Sequence, residues 1–124
     1  MKSALLLAII VFSFGCAKEP QTSTQKPSET VLKFYDALAR QDSAAFVQLV
    51  CSTIKNRFAS NPQFVTSTLA NWKDRKPTVE LISESHDSTI AYVTYRLKAT
   101  GKNPIDTTKT TQLYLEDGSW KFGF

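Results

Sequence analysis

The sequence predicts an α+β domain in which N-terminal helices pack on an antiparallel sheet of about four strands. Hydrophobic residues before Pro77 recur with helical spacing, whereas those after it alternate as in strands. Two hairpin signals, His86–Ser88 and Asp117-Gly118, separate strand-like runs. Because the helices come first and the strands follow, the order favours a meander over a doubly wound parallel sheet. The length of 124 residues, of which 42% are hydrophobic, suits one domain.

The first fifteen residues are typical of a secretory signal peptide. Lys2 gives a short positive start, and residues 4–14 form an uncharged, mainly apolar run. A membrane-spanning helix needs about 20 apolar residues, so this run is too short to span a bilayer. It is also apolar on all sides, which argues against a surface-packed helix of the domain. We therefore expect residues 1–15 to direct export.

The run Ser13-Phe14-Gly15-Cys16 resembles the lipobox of bacterial lipoprotein precursors, in which a small residue precedes an acylated cysteine. Ser13 departs from the usual aliphatic residue, as in the relaxed lipoboxes of Bacteroidetes lipoproteins. The resemblance implies that Cys16 becomes the mature N-terminus and carries a diacylglyceryl group and an amide-linked chain such as palmitate. Ordinary signal peptidase cleavage after Ala17 is the alternative, because Gly15 and Ala17 are both small.

Lipidation of Cys16 implies a membrane as the first partner. The expected location is the bacterial cell envelope, at the outer membrane rather than the inner one, with the domain in the periplasm or at the cell surface. The lipidated cysteine and a linker span residues 16–27. The linker contains two prolines and no large apolar residue, as flexible linkers do. The folded domain is expected over residues 28–124.

Three helical stretches are predicted at the start of the domain. Ser28 is a candidate N-cap of the first, with Glu29 near its positive end. Asp42 is a candidate N-cap of the second, and Asn61 followed by Pro62 opens the third. The apolar stripes of the three stretches are Val31, Phe34, Tyr35 and Leu38; Phe46, Leu49 and Val50; and Val65, Leu69 and Trp72.

Four strands are predicted in the second half of the domain. They cover residues 78–85, 89–100 and 107–116 and the C-terminal run from Trp120. In the second strand, the alternating residues expected to face the core are Ala91, Val93, Tyr95 and Leu97.

Both ends of the domain resemble nuclear transport factor 2-like (cystatin-like, SnoaL-like) domains. Residues 28–42, SETVLKFYDALARQD, are similar to their opening helix and turn, and residues 113–122, LYLEDGSWKF, are similar to their final hairpin. The resemblance covers residues 28–124 and extends to exported lipoproteins of unknown function. It implies a strongly curved sheet wrapped around the first helix, which makes a cone whose open end can hold a ligand.

Enzymes with this fold place Asp, His and Tyr side chains inside the cone, so an acid or histidine on the inner face would indicate catalysis. Asp36 lies at the border of the helical stripe and is expected in solvent, and Glu80 and Glu84 are expected to face outward. His86 is the single histidine and shares a turn with Asp87. None of these groups forms a convincing buried general base or catalytic dyad.

No metal, cofactor or nucleic acid is expected. With Cys16 acylated, Cys51 has no partner cysteine, and we expect it to be a small buried hydrophobic residue. The remaining ligand-type residues lack metal-site spacing, and the chain has no glycine-rich phosphate loop. The formal charge is +4, but basic residues are scattered, the densest run being residues 73–76. A nucleic-acid site would need a basic stripe with aromatic residues.

The sequence therefore predicts a non-enzymatic, membrane-anchored domain that binds a small apolar ligand or an envelope protein. The candidate pocket residues are Tyr35, Trp72, Tyr95, Trp120 and Phe122. One alternative is a cone-pocket enzyme, isomerase- or cyclase-like, that acts on a small hydrophobic substrate with Tyr35 or Tyr95 as proton donor and Asp36 as base. Another is a structural or assembly role as a homodimer.

Overall fold

The computed structural model describes residues 25–123. The predicted signal peptide, Cys16, most of the predicted linker and Phe124 lie outside the described residues. The helices are α1 (Pro27–Ala39), α2 (Ser43–Gln48), α3 (Ser52–Ser60) and α4 (Gln63–Trp72), and the strands are β1 (Thr78–His86), β2 (Ile90–Ala99), β3 (Ile105–Glu116) and β4 (Ser119–Phe122). Within residues 25–123, no helix combines the length and the apolar character needed to cross a bilayer.

The start of α1 differs from the prediction. The helix begins at Pro27, whose fixed φ angle suits the first helical position, and Lys26 is the N-cap residue without a side-chain hydrogen bond. The prediction that Ser28 is the N-cap is therefore wrong. Ser28 lies in the first turn, where its N–H and its hydroxyl donate to the Glu84 carboxylate at 3.2 and 3.0 Å. A strand thus supplies the acceptor that the helix start needs.

The predicted N-cap of α2 is confirmed, and that of the third predicted helix is wrong by one residue. Asp42 caps α2 as predicted, since its carboxylate accepts the Ala45 N–H at 3.0 Å. The third predicted stretch is preceded by an additional helix, α3, whose Ser52 N–H and hydroxyl donate to the Glu116 carboxylate at 3.0 Å. The N-cap residue of α4 is Pro62, one residue later than predicted, and it forms no side-chain cap hydrogen bond.

The sheet is an antiparallel meander in the order β1-β2-β3-β4, which confirms the predicted α+β class. The second strand is also confirmed, because its inward residues are all buried: Ala91, Val93, Tyr95 and Leu97. Strand β3 begins at Ile105, two residues before the predicted start at Thr107.

A β-bulge at Ile82 changes the inward face of β1. Before the bulge, Glu80 opposes Arg96 on the outer face of the sheet, as predicted. After the bulge, Glu84 opposes Val93, whose side chain is buried on the inner face. An extra residue in one strand reverses the alternation of all residues beyond it. Glu84 therefore lies on the helix-facing side of the sheet and not on the outer face as predicted, while remaining an exposed residue.

The two edges of the sheet differ. The segment between α2 and α3 covers the edge of β4: the Cys51 N–H donates to the Phe122 carbonyl at 2.9 Å, and the Phe122 N–H donates to the Leu49 carbonyl at 2.7 Å. Val50 consequently forms a parallel bridge with Phe122. Strand β1 pairs with β2 alone and forms the other edge.

The core lies between α1 and the inner face of the sheet. The predicted α1 stripe is buried along its whole length: Val31, Phe34, Tyr35 and Leu38. The Phe34 ring stacks on the Phe122 ring of β4 with centroids 3.9 Å apart. The Phe46 ring of α2 contacts the same Phe34 ring at 5.3 Å. The interior enclosed by the helix and the sheet is therefore filled by aromatic side chains of the chain itself.

Candidate functional site

The candidate pocket residues pack against one another and their neighbours. The Tyr35 ring lies 5.7 Å from that of Tyr95, 5.6 Å from that of Trp72 and 6.4 Å from that of Phe122. Trp120 is buried beside the Thr30 hydroxyl, which donates to the Trp120 carbonyl at 3.0 Å. The structure thus brings four of the five candidates into one aromatic cluster and places Trp120 under the start of α1.

Three buried hydroxyls form a chain inside this cluster. The hydroxyls of Tyr35 and Tyr95 are 2.8 Å apart, and that of Tyr95 is 3.0 Å from that of Thr111. Burial raises the pKa of the Tyr35 phenol far above its ordinary value, and the hydrogen bond with Tyr95 raises it further. Tyr35 is therefore a neutral hydroxyl at physiological pH, and its hydrogen bond is made within the protein.

Asp36 does not join the two tyrosines. Its side chain is 61% exposed, and its carboxylate accepts from Arg40 Nε at 2.8 Å in an i,i+4 ion pair on the surface of α1. The arrangement brings together the two hydroxyls named as donors in the enzyme alternative and leaves the carboxylate named as base in solvent.

His86 and Asp87 have separate roles at the β1–β2 hairpin. The Asp87 carboxylate accepts the N–H groups of Thr89 and Ile90 at 2.7 and 2.9 Å, and these hydrogen bonds lower its pKa below the usual range. The exposed His86 lies at the end of β1, with its ring 5.3 Å from that of Trp120. The Asp87 carboxylate therefore shapes the turn, and the His86 imidazole contacts the Asp87 backbone carbonyl, which lies 2.9 Å from His86 Nδ1.

Cys51 is only 4% exposed, as expected for a small buried hydrophobe. In the part of the chain that the structure describes, no three His, Cys, Asp or Glu side chains are placed to hold a metal ion. The expectation that the protein uses no metal or cofactor stays a prediction.

The helical layer contains an apolar cavity that the sequence did not indicate. This cavity, called here the α3–α4 cavity, has a volume of about 210 Å³. Its lining residues are Phe46, Ile54, Arg57, Phe58, Phe64 and Thr68. Thr68 contributes little polarity, because its hydroxyl already donates to the Phe64 carbonyl at 2.8 Å. The i,i+4 spacing of Ile54 and Phe58 was the available signal, but the predicted helices omitted α3.

A shallow depression adjoins the α3–α4 cavity. Its volume is about 410 Å³, and it shares Arg57 and Phe64 with the cavity. Asn56, Ser60 and Asn61 complete its lining and add amide and hydroxyl groups, although most of the exposed lining is apolar, as it is in the cavity. The two spaces together form an apolar interior with guanidinium, amide and hydroxyl groups at its edge.

Two larger depressions lie elsewhere. One, of about 720 Å³, follows the other side of α4 along Val47, Val65 and Leu69. The other, of about 770 Å³, lies near the start of α3 and includes Tyr114 and Glu116. None of these four spaces is lined by the five candidate pocket residues.

Helix α4 is held to the domain at few points. None of its residues is buried. The Gln41 side-chain amide donates to the Leu69 carbonyl at 2.8 Å, and Trp72 contacts the Tyr35 ring. Near the start of the helix, the Phe64 ring is 57% exposed and lies 6.2 Å from the Phe58 ring. The α3–α4 cavity is therefore covered by a partly exposed aromatic ring on a lightly anchored helix.

Comparison with known proteins addresses the architecture. No family model and no curated protein matches the chain. A crystal structure of a protein of unknown function with a cystatin-like fold, from Nostoc punctiforme, is similar with a TM-score of 0.60, covering 77% of this chain and 81% of that chain. The chain has a cystatin-like fold. The identity of 13% limits the likeness to the fold. The curved sheet around α1 is the cystatin-like cone that the sequence predicted.

Proposed function

We propose that this protein is an exported bacterial lipoprotein with a nuclear transport factor 2-like domain that binds a small apolar ligand without transforming it. The α3–α4 cavity is the proposed binding site. One observation carries this proposal: aromatic side chains fill the cone, whereas an apolar space of about 210 Å³ remains between α3 and α4. Engineered apolar cavities of about 150 Å³ already bind benzene, so this space suffices for a small ligand.

We propose binding without catalysis because of the positions of the groups considered as proton donors and base. The hydroxyls of Tyr35 and Tyr95 are bound to each other and to Thr111. Asp36 is paired with Arg40 at the surface. A general base has to lie within hydrogen-bond reach of the proton that it takes, and no acid among these groups lies beside the α3–α4 cavity.

The anchor in the proposal rests on the first 16 residues. An acyl chain stabilises membrane association by about 0.8 kcal/mol per buried methylene, and more than one chain makes the attachment durable. A tether of this kind would hold the binding domain at a bacterial envelope membrane, in the periplasm or at the cell surface.

The anchor is tested with two cysteine variants expressed with an isotopically labelled fatty acid. We expect Cys16→Ala to abolish acyl labelling and membrane association, and the matched Cys51→Ala variant to keep both. Intact mass of the mature protein separates the cleavage alternatives, because cleavage after Ala17 leaves an unlipidated chain that starts at Lys18. Acyl labelling that persists in Cys16→Ala would refute the anchor.

The binding site is tested by photolabelling of the mature, full-length protein in phosphatidylcholine nanodiscs. The probe is an octanol that carries an alkyl diazirine, and labelled peptides are identified by mass spectrometry. We expect labels on the segments that contain Phe46, Phe58 and Phe64. Thr68→Trp places a large ring in the cavity and should suppress this labelling. Ser67→Trp, one residue away and lining none of the four spaces, is the matched control.

Two results would count against the binding site. Labels spread over the surface, with no concentration on these segments, would contradict a specific cavity. Equal labelling of the Thr68→Trp and Ser67→Trp variants would show that the probe binds elsewhere.

A further inference from the structure

We infer that the ligand of the α3–α4 cavity is an amphipathic carboxylate, whose apolar body fills the cavity and whose head group is bound by Arg57. This inference rests on the proposed function and adds the chemical class of the ligand. The juxtaposition that supports it is a charged guanidinium at the boundary between an apolar cavity and an open depression to which Asn56 and Asn61 contribute.

The first argument compares the interaction partners of Arg57 with those of the other arginines in residues 25–123. Arg40 pairs with Asp36, and Arg96 pairs with Asp106. Arg75 lies over the Trp72 ring and donates to the Asn103 carbonyl at 2.9 Å. The Arg57 guanidinium alone makes no hydrogen bond, ion pair or ring contact with residues 25–123. Arg57 is exposed, so water occupies its five N–H donors, and a ligand would bind there by replacing that water.

The second argument is the position of this free guanidinium. Arg57 lines both the apolar cavity and the adjoining depression, and Phe64 is the other residue that they share. Asn56 and Asn61 line the depression and add amide donors on the same side. A ligand with its tail between Ile54 and Phe58 therefore meets donors at the point where it leaves the cavity.

The third argument is the direction in which the head group would lie. Arg57 also lines the depression near the start of α3, but that space contains the Glu116 carboxylate. A negative charge there opposes a second anion. The Asn56 and Asn61 side carries no acid in its lining, so it is the side that favours an anionic head.

The chemistry of the donor selects the ligand class. A guanidinium binds a carboxylate through two parallel N–H···O bonds, which combine charge with fixed geometry. The cavity volume of about 210 Å³ sets the size of the apolar body. Together they describe a medium-chain fatty acid or a small aryl carboxylate, and they disfavour a neutral alcohol of equal length.

The experiment compares two diazirine probes of equal chain length, an octanoate and an octanol, on the full-length mature protein in phosphatidylcholine nanodiscs. The pH is kept where the acid is ionised. The measured quantity is the probe concentration that gives half-maximal labelling of the Phe58 and Phe64 segments. We expect that concentration to be about tenfold lower for the octanoate, the factor that a charge-assisted hydrogen-bonded pair provides.

Variants on α3 assign that difference to Arg57. Arg57→Met should raise the half-maximal octanoate concentration about tenfold and leave the octanol value unchanged, and Arg57→Lys should restore part of the preference. Lys55→Met removes the same charge from the same helix, but Lys55 lines the groove on the other side of α4. It should label as the unaltered protein does, which controls for the change in net charge.

The outcomes separate the two proposals. Equal half-maximal concentrations for the two probes, or an octanoate preference that survives Arg57→Met, would overturn the carboxylate inference while labelling by octanol still supports the cavity. Absence of labelling by both probes would overturn the binding site itself, and the inference with it.

Discussion

Helices α1 and α4 are both amphipathic, yet they pack very differently. Of the 13 residues of α1, eight are buried, whereas none of the ten residues of α4 is buried. Helix α1 lies on the inner face of the sheet, where buried strand side chains fill the space beneath it. Helix α4 packs on the other helices and not on the sheet, and it leaves the α3–α4 cavity beside it. An apolar stripe thus determines which face of a helix packs inward. The surface that the helix packs against determines whether that face is fully buried or leaves a cavity.

The largest expected difference between the two regions lies in the effect of truncating a phenylalanine. Phe34→Ala removes a buried ring stacked on Phe122 and should lower the free energy of unfolding by about 3–5 kcal/mol. Phe64→Ala removes a ring that is largely exposed and should change it by about 0.5 kcal/mol. Urea denaturation measures both. Similar losses would show that α4 is packed as tightly as α1.

The buried hydroxyl chain should give the next largest effect. Tyr95→Phe removes its central hydroxyl and leaves those of Tyr35 and Thr111 without that partner. We expect a loss of about 1–3 kcal/mol in the free energy of unfolding. Tyr92→Phe on the outer face, where the side chain is 48% exposed, should have almost no effect. Equal effects of the two changes, again measured by urea denaturation, would mean that the chain contributes nothing to stability.

Alkaline pH probes the same region through Tyr35, whose pKa is raised by burial and by the hydrogen bond with Tyr95. Above a pH of about 10, the unfolded phenol loses its proton while the folded one keeps it, so the unfolded state binds fewer protons. The contribution of Tyr35 to the free energy of unfolding is fully present below that pH. As the pH rises above it, the free energy of unfolding falls by at most about 1.4 kcal/mol per pH unit. Tyr35→Phe should show a shallower decline in urea titrations, whereas parallel curves would contradict the shift.

The smallest expected effect concerns the start of α1. Glu84→Gln replaces the carboxylate that accepts two hydrogen bonds from Ser28 and should cost about 1 kcal/mol. Glu80→Gln, on the outer face of the same strand before the bulge, should stay within about 0.5 kcal/mol. Thermal unfolding of the two variants makes the comparison. A larger loss for Glu80→Gln would contradict the inward position of Glu84.

Elements with strong local patterns were predictable from the sequence. The α1 stripe and the alternation of β2 correspond to buried faces, because the periods of helices and strands follow from backbone geometry. The final hairpin was also predictable, since Asp117 and Gly118 have φ angles of 53° and 77°, as a two-residue turn requires.

Features that depend on tertiary packing were not predictable. Helix α3 has two buried residues, Ile54 and Phe58, among polar neighbours, a pattern too short to define a helix by itself. The inward position of Glu84 depends on the bulge at Ile82, for which the sequence carries no turn signal. The α3–α4 cavity exists only where the two helices pack together, and their packing cannot be derived from local patterns. The sequence therefore indicated the core aromatic residues as the pocket instead.

Glu84 and Glu116 accept hydrogen bonds from the first turns of α1 and α3. These contacts also affect the order in which the chain folds. Glu84 follows its partner Ser28 by 56 positions, and Glu116 follows Ser52 by 64. A ribosome that releases the N-terminus first therefore delivers both helices long before the residues that complete them. The acceptor for α1 is available once β1 has been synthesised, whereas the acceptor for α3 is the last residue of β3. Completion of the domain is thereby delayed until nearly the whole chain is available, and a product truncated before Glu116 would lack the acceptor that α3 requires.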